Sequence, residues 1–167
     1  IWLENNKWNE IEIDASEMFW ALMGQAYHKI LEGHDSNLSE MSLSLHMNDW
    51  EIRGRLDTLS LKEKTLSDWK LTKAYALVYR SSFPQWEAQL NIYAHMLRAN
   101  LLFAVDKIQV FAAIRDWNKS KSGGDYPTSE HVTVPLRLWE PQEAEDYIVR
   151  RLTEIERSEE HTSELQS

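Results

Sequence analysis

Gly54 to Lys70 reads GRLDTLSLKEKTLSDWK. Two alternating runs, RLDTLSL and TLSDWK, flank the short polar turn KEK, the pattern of two neighbouring strands. Successive side chains of a strand point to opposite faces, so Asp68 and Lys70 share one face, and Arg53, Arg55 and Asp57 share another. Two carboxylates and one ammonium at the end of a hairpin can hold a divalent cation and charge a water. Attack on a phosphodiester needs hydroxide at neutral pH, a stabilised pentacovalent charge and a neutralised leaving oxygen. Bound Mg2+ or Mn2+ serves all three. Such hard cations take oxygen ligands, which makes Asp57 and Asp68 the candidate pair. The Lys70 ammonium stands where it can contact the attacking water or the scissile phosphate.

Outward from this stretch the elements alternate in type. MSLSLHM, then ND, then WEIRGRLDTLSL give a hairpin over 41–61, and 65–71 gives a third strand. Upstream, Phe19, Leu22, Met23, Ala26, Ile30 and Leu31 recur with helical spacing over 17–32, with Gly33 as a stop and His28 on the helix. An edge strand is expected within 1–14. Downstream, Pro84 opens a helix carrying Trp86, Leu90, Tyr93, Ala94 and Leu97. KIQVFAAI over 107–114 reads as a buried strand. DWNKSKSGGDYP reads as a loop, and HVTVPLRL over 131–138 as an edge strand because of Pro135. Pro141 opens a final helix. The expectation is one α/β domain over 1–156, with a mixed central β-sheet flanked by helices.

Taken singly, each chemical feature has a plainer reading. RGRLD suits a solvated strand face with internal ion pairs, and SDWK an ordinary pair two residues apart. His28 suits a helix position at a core boundary. Gln89 and Tyr93 are four apart, so both face one way on their helix. A Gln amide and a Tyr hydroxyl can donate to phosphate or to a carboxylate, yet Tyr93 also suits simple packing.

In combination the motifs GQAYHKILE, GRLD, SDWK and QLNIY, in that order between Gly24 and Tyr93, resemble the PD-(D/E)XK nuclease superfamily, in its RecB-type and phage-exonuclease branch. The resemblance implies a restriction-endonuclease-like core and a Mg2+- or Mn2+-dependent deoxyribonuclease, an exonuclease before an endonuclease. Its setting would be phage or bacterial DNA recombination or repair. It implies His28, Asp57, Asp68 and the main-chain carbonyl of Trp69 as metal ligands, and Lys70 as catalytic with the two aspartates. Gln89, Tyr93, Arg55 and Lys73 would support the site and the DNA. Ring-forming relatives make a homo-oligomer or a recombination partner protein a natural associate. The competing readings are a nuclease-fold domain that binds nucleic acid or protein without cutting it, and a hydrolase of small phosphoesters. Some relatives hold an iron–sulfur cluster on cysteines.

Composition bounds the rest. The 167 residues are 43% hydrophobic, which suits a globular domain with a core. There is no cysteine, so these residues form no disulfide, iron–sulfur ligand or thiol nucleophile. No apolar run is long enough for a membrane span, and a reducing cytoplasm is the default compartment. The net charge of −9 is unusual for a DNA binder. A bound cation would offset the acidic cluster, and Arg53, Arg55, Lys62, Lys64, Lys70, Lys73 and Arg80 crowd near it. The last eleven residues, RSEEHTSELQS, resemble a translated sequencing adapter, and 157–167 are expected to lie outside the fold. Both ends are expected to be truncated.

Overall fold

In a computed structural model the backbone is described from Asn37 to Glu164, and side chains from Leu38 to Ser158. The expected edge strand within 1–14, and the 17–32 helix with His28, lie outside these residues. β1 (Asn37–Met47) and β2 (Trp50–Ser60) form the expected hairpin, with Asn48 at the turn taking φ 52°. Asn tolerates this left-handed conformation better than most residues. β3 (Thr65–Thr72) follows the KEK turn. A short helix α1 (Ala74–Val78) and a long helix α2 (Phe83–Leu101) lead to β4 (Lys107–Ile114). β5 (His131–Leu136) and α3 (Pro141–Glu164) complete the order.

The five strands form one mixed sheet in sequence order, β1 to β5. β3 and β4 run parallel, and every other neighbouring pair is antiparallel. A parallel pair requires a crossover, and α1 and α2 supply it. β5 is an edge strand, as Pro135 demands. The architecture is α/β, with a mixed central sheet flanked by helices. Among the described residues no helix is long and apolar enough to cross a membrane.

The core lies between the sheet and α2. Leu56, Leu59, Leu66, Ile108 and Val110 from the strands meet Leu90, Met96 and Leu97 of α2, all at most 2% exposed. Each such side chain contributes about 1.5–3 kcal/mol through burial. α3 buries Ala144, Ile148 and Leu152, a four-residue spacing that puts one stripe inward. This helix continues past Glu156 to Glu164, so no backbone break marks the expected end of the fold. Leu152 is its last buried residue among those described.

Asn91 fixes α3 relative to α2. It is 1% exposed and fully bonded: its amide donates to the Glu87 and Arg137 carbonyls, each at 2.9 Å, and its oxygen accepts from Trp139 N–H at 2.7 Å. A buried amide without those partners would be costly, and with them it pins the strand-to-helix connection to α2.

Candidate active site

The pairing of β2 with β3 runs from Ser60↔Thr65 to Thr58↔Ser67 and stops there. The next pair in register would be Asp57 and Asp68. Two carboxylates directly opposite each other repel, and here the ladder gives way. Asp57 Oδ2 instead accepts the Trp69 backbone N–H at 2.8 Å. Beyond that point β2 pairs with β1 alone, and β3 continues along β4 to Thr72. The two aspartates therefore sit at the vertex where the central strands part.

The alternation of β2 slips at the same place. Its fully buried positions are Leu56 and Leu59, three apart instead of two. Opposite the slip, Glu40 of β1 has φ 56° and drops out of the pairing. The register resumes unshifted at Met41↔Leu56, so Glu40 marks a local break in the ladder opposite Asp57 and adds no residue to the strand. Of the three residues expected on one face, Arg53 and Arg55 are exposed, whereas Asp57 is half-buried and bonded to β3. Arg55 turns to Glu40, its side chain 63% exposed, and Arg53 pairs with Glu51 at 2.7 Å.

Asp68 is the buried centre of the cluster, at 3% exposure. Its Oδ2 lies 2.8 Å from Lys70 Nζ. The ammonium is close but poorly aligned, which leaves this buried oxygen weakly satisfied. Gln89 bridges the pair from α2: its Nε2 donates to Asp68 Oδ1 at 3.4 Å and its Oε1 accepts from Lys70 Nζ at 3.1 Å. The same Nε2 lies 3.4 Å from Tyr93 Oη. The i,i+4 spacing of Gln89 and Tyr93 delivers both to one place, as the sequence suggests.

Tyr93 reaches this position because of Gly54. A Cβ at Gly54 would overlap the Tyr93 ring carbon Cε1. The glycine is there for close approach of ring to strand.

Burial pushes the Asp68 carboxyl up to about 6; the Lys70 ammonium pulls it down, and the Asp57 carboxylate raises it further. With both aspartates ionised, the charges of Asp57, Asp68 and Lys70 sum to −1. A divalent cation is the natural complement to such a set. The fit is partial but chemically sound: two hard oxygen donors converge, and one is a buried oxygen met only by a poorly aligned ammonium. Among the described residues no group of three or more His, Asp or Glu side chains gathers as a metal site. The remaining expected side-chain ligand, His28, lies outside them.

Asp57, Asp68, Lys70, Gln89 and Tyr93 thus come together, and Trp69 contributes its backbone to the same cluster. Arg55 and Lys73 do not join it: Arg55 is held by Glu40, and Lys73 is exposed at the start of α1. Sequence patterning gave no sign of the break in the ladder at Glu40 or of the role of Asn91. A turn-favouring residue within β1 would have flagged the first; a polar residue on an otherwise buried helix stripe was the available signal for the second.

No family model and no curated protein matches this chain. Among solved structures it is similar to that described as the crystal structure of SSO0001, at 14% identity and a TM-score of 0.49. The match covers 78% of this chain and 56% of that one, so the chain spans little more than half the length of that relative.

Proposed function

We propose that this chain is a Mg2+- or Mn2+-dependent deoxyribonuclease of the PD-(D/E)XK kind, with Asp57, Asp68 and Lys70 as its catalytic centre. The observation that carries the reading is the meeting of the two aspartates where β2 and β3 part, beside an ammonium held by Gln89. Motif order alone would not require these groups to touch.

Asp57 and Asp68 would hold the cation, with the Trp69 carbonyl and His28 as further ligands on the family pattern. When bound, such a cation supplies Lewis acidity and lowers the pKa of a coordinated water. The chain's own residues do the rest. Lys70 offers positive charge to the attacking water and the phosphate oxygens. Gln89 holds the Lys70 and Asp68 side chains in one geometry, which removes the entropy of searching for it. Tyr93, braced by Gly54, sets the position of the Gln89 amide. The substrate would be DNA in the cytoplasm of a bacterium or a phage-infected host, in recombination or repair, with exonuclease action favoured.

The test is cleavage of end-labelled linear DNA and of circular DNA, with Mg2+, with Mn2+ and with EDTA. Loss of the linear substrate with either metal, and none with EDTA, is expected. Lys70→Ala and Asp68→Ala should each lower the rate at least about 100-fold, with the fold retained by circular dichroism. Metal-dependent cleavage that survives Lys70→Ala would remove the lysine from the mechanism.

A further inference from the structure

The connection between β3 and α2 carries an aromatic pair with no role in the centre described above. Tyr75, on α1, and Tyr79, which caps its C-terminal end, lie four residues apart and are 61% and 67% exposed. Their ring centroids are 4.5 Å apart and tilted by 39°. Ala74 and Ala76 take the buried side of this turn, leaving both rings in water. The pair is also held in place. Ala74 N–H donates to Asp116 Oδ1 at 2.7 Å, and Arg115 N–H donates to the Thr72 carbonyl at 2.9 Å. These bonds tie α1 to the end of β4.

Cations bracket the rings. Lys73 precedes them and Arg80 follows, both exposed. Among the described residues neither has a carboxylate partner. Arg80 lies 5.9 Å over the Phe83 ring, which fixes its direction without neutralising it. The loop after β4 adds exposed Lys119 and Lys121 at the same end of the parallel β3–β4 pair. Exposed Asp116, Asp125 and Glu130 share this end with Lys73, Arg80, Arg115, Lys119 and Lys121, which leaves it net positive in a chain of net charge −9. Tyr75 follows Lys70 by five residues, so their Cα atoms stand within about 18 Å of each other.

We propose that Tyr75 and Tyr79 are a stacking platform for the bases of single-stranded DNA, with Lys73 and Arg80 on its phosphates, holding one strand beside Asp68 and Lys70. The last clause rests on the nuclease reading; the stacking itself does not. Aromatic faces stack on any unpaired base and contribute about 1–3 kcal/mol per base, whereas a duplex keeps its bases stacked inside. Flanking cations release counterions from the backbone and set the salt dependence. The exposed pair is purely aromatic and bracketed by positive charge, which favours a nucleic-acid strand over an aliphatic protein surface.

The experiment is fluorescence anisotropy of a labelled oligo-dT of about twelve nucleotides with the full chain in EDTA, where metal-dependent cleavage is silent. Tyr75→Ala with Tyr79→Ala should weaken binding by about 10- to 100-fold with an unchanged unfolding midpoint, since both rings are exposed. Tyr75→Phe with Tyr79→Phe should bind like the wild type. Lys73→Ala with Arg80→Ala should flatten the salt dependence by about one to two counterions. Wild-type affinity in the double Ala variant overturns the platform, as does failure of the wild type to bind the oligonucleotide, which would leave the rings to a protein partner. Cleavage with Mn2+ is scored separately. Ring-dependent binding without cleavage defeats the nuclease reading and keeps the platform; cleavage with ring-independent binding does the reverse.

Discussion

Asp68 contributes a pH dependence to the stability of the metal-free protein. Folding raises its pKa from 3.8 to about 6, chiefly because burial penalises the charged form. A carboxyl shifted in this direction contributes stability that is whole below its unfolded pKa and lost as pH rises through the folded one. Asp68→Asn removes that dependence. In urea unfolding with EDTA, the variant should gain on the wild type between about pH 4 and pH 7, by on the order of 2–3 kcal/mol. A constant difference across that range would mean that the carboxyl is not strained by folding. Gly54 is the other decisive residue. Gly54→Ala should drive Tyr93 off its position, costing about 1–3 kcal/mol and lowering cleavage through the loosened Gln89. Tyr93→Phe keeps the ring and should leave stability nearly unchanged, so the two variants separate packing from hydrogen bonding.

At the scale of elements, the strand and helix periods were legible wherever one face is buried. The 41–61 hairpin, β3, α2, β4 and β5 all follow from alternation or helical spacing, and Pro135 correctly marks an edge. What alternation could not show is its own interruption. The slip between Leu56 and Leu59 lies where Glu40 of the neighbouring strand leaves the ladder, and a period read along one segment carries no information about its neighbour. The five-residue α1 was missed because a single turn gives too few positions for a period to be visible. The Asp68–Lys70–Gln89–Tyr93 set was legible as two short spacings, one of two residues and one of four, joined by a single crossover. The failure of Arg55 and Lys73 to join it was not legible, because it turns on the Glu40 pair and on the start of α1. Asn91 tests how α2 and α3 are coupled. Asn91→Ala orphans the Trp139 N–H and two carbonyls, and should cost about 2–4 kcal/mol in chemical denaturation. A cost below about 0.5 kcal/mol would mean that water replaces the amide freely.

For the whole molecule, charge is arranged against its average. In a chain of net charge −9, the β3–β4 end gathers Lys73, Arg80, Arg115, Lys119 and Lys121 against Asp116, Asp125 and Glu130. Such an asymmetry directs a polyanion to one end and repels it elsewhere. On the proposed reading Asp57 and Asp68 would share a cation, because the Lys70 ammonium offsets one of their two charges. The most direct measurement is calorimetric titration of the full chain with Mn2+ at pH 7.5, repeated for Asp57→Asn and Asp68→Asn. One site in the wild type, lost in both variants, is the expected result. A wild type without a carboxylate-dependent site, or variants that bind Mn2+ as well as it does, would contradict the claim that these two side chains form a metal-dependent catalytic centre.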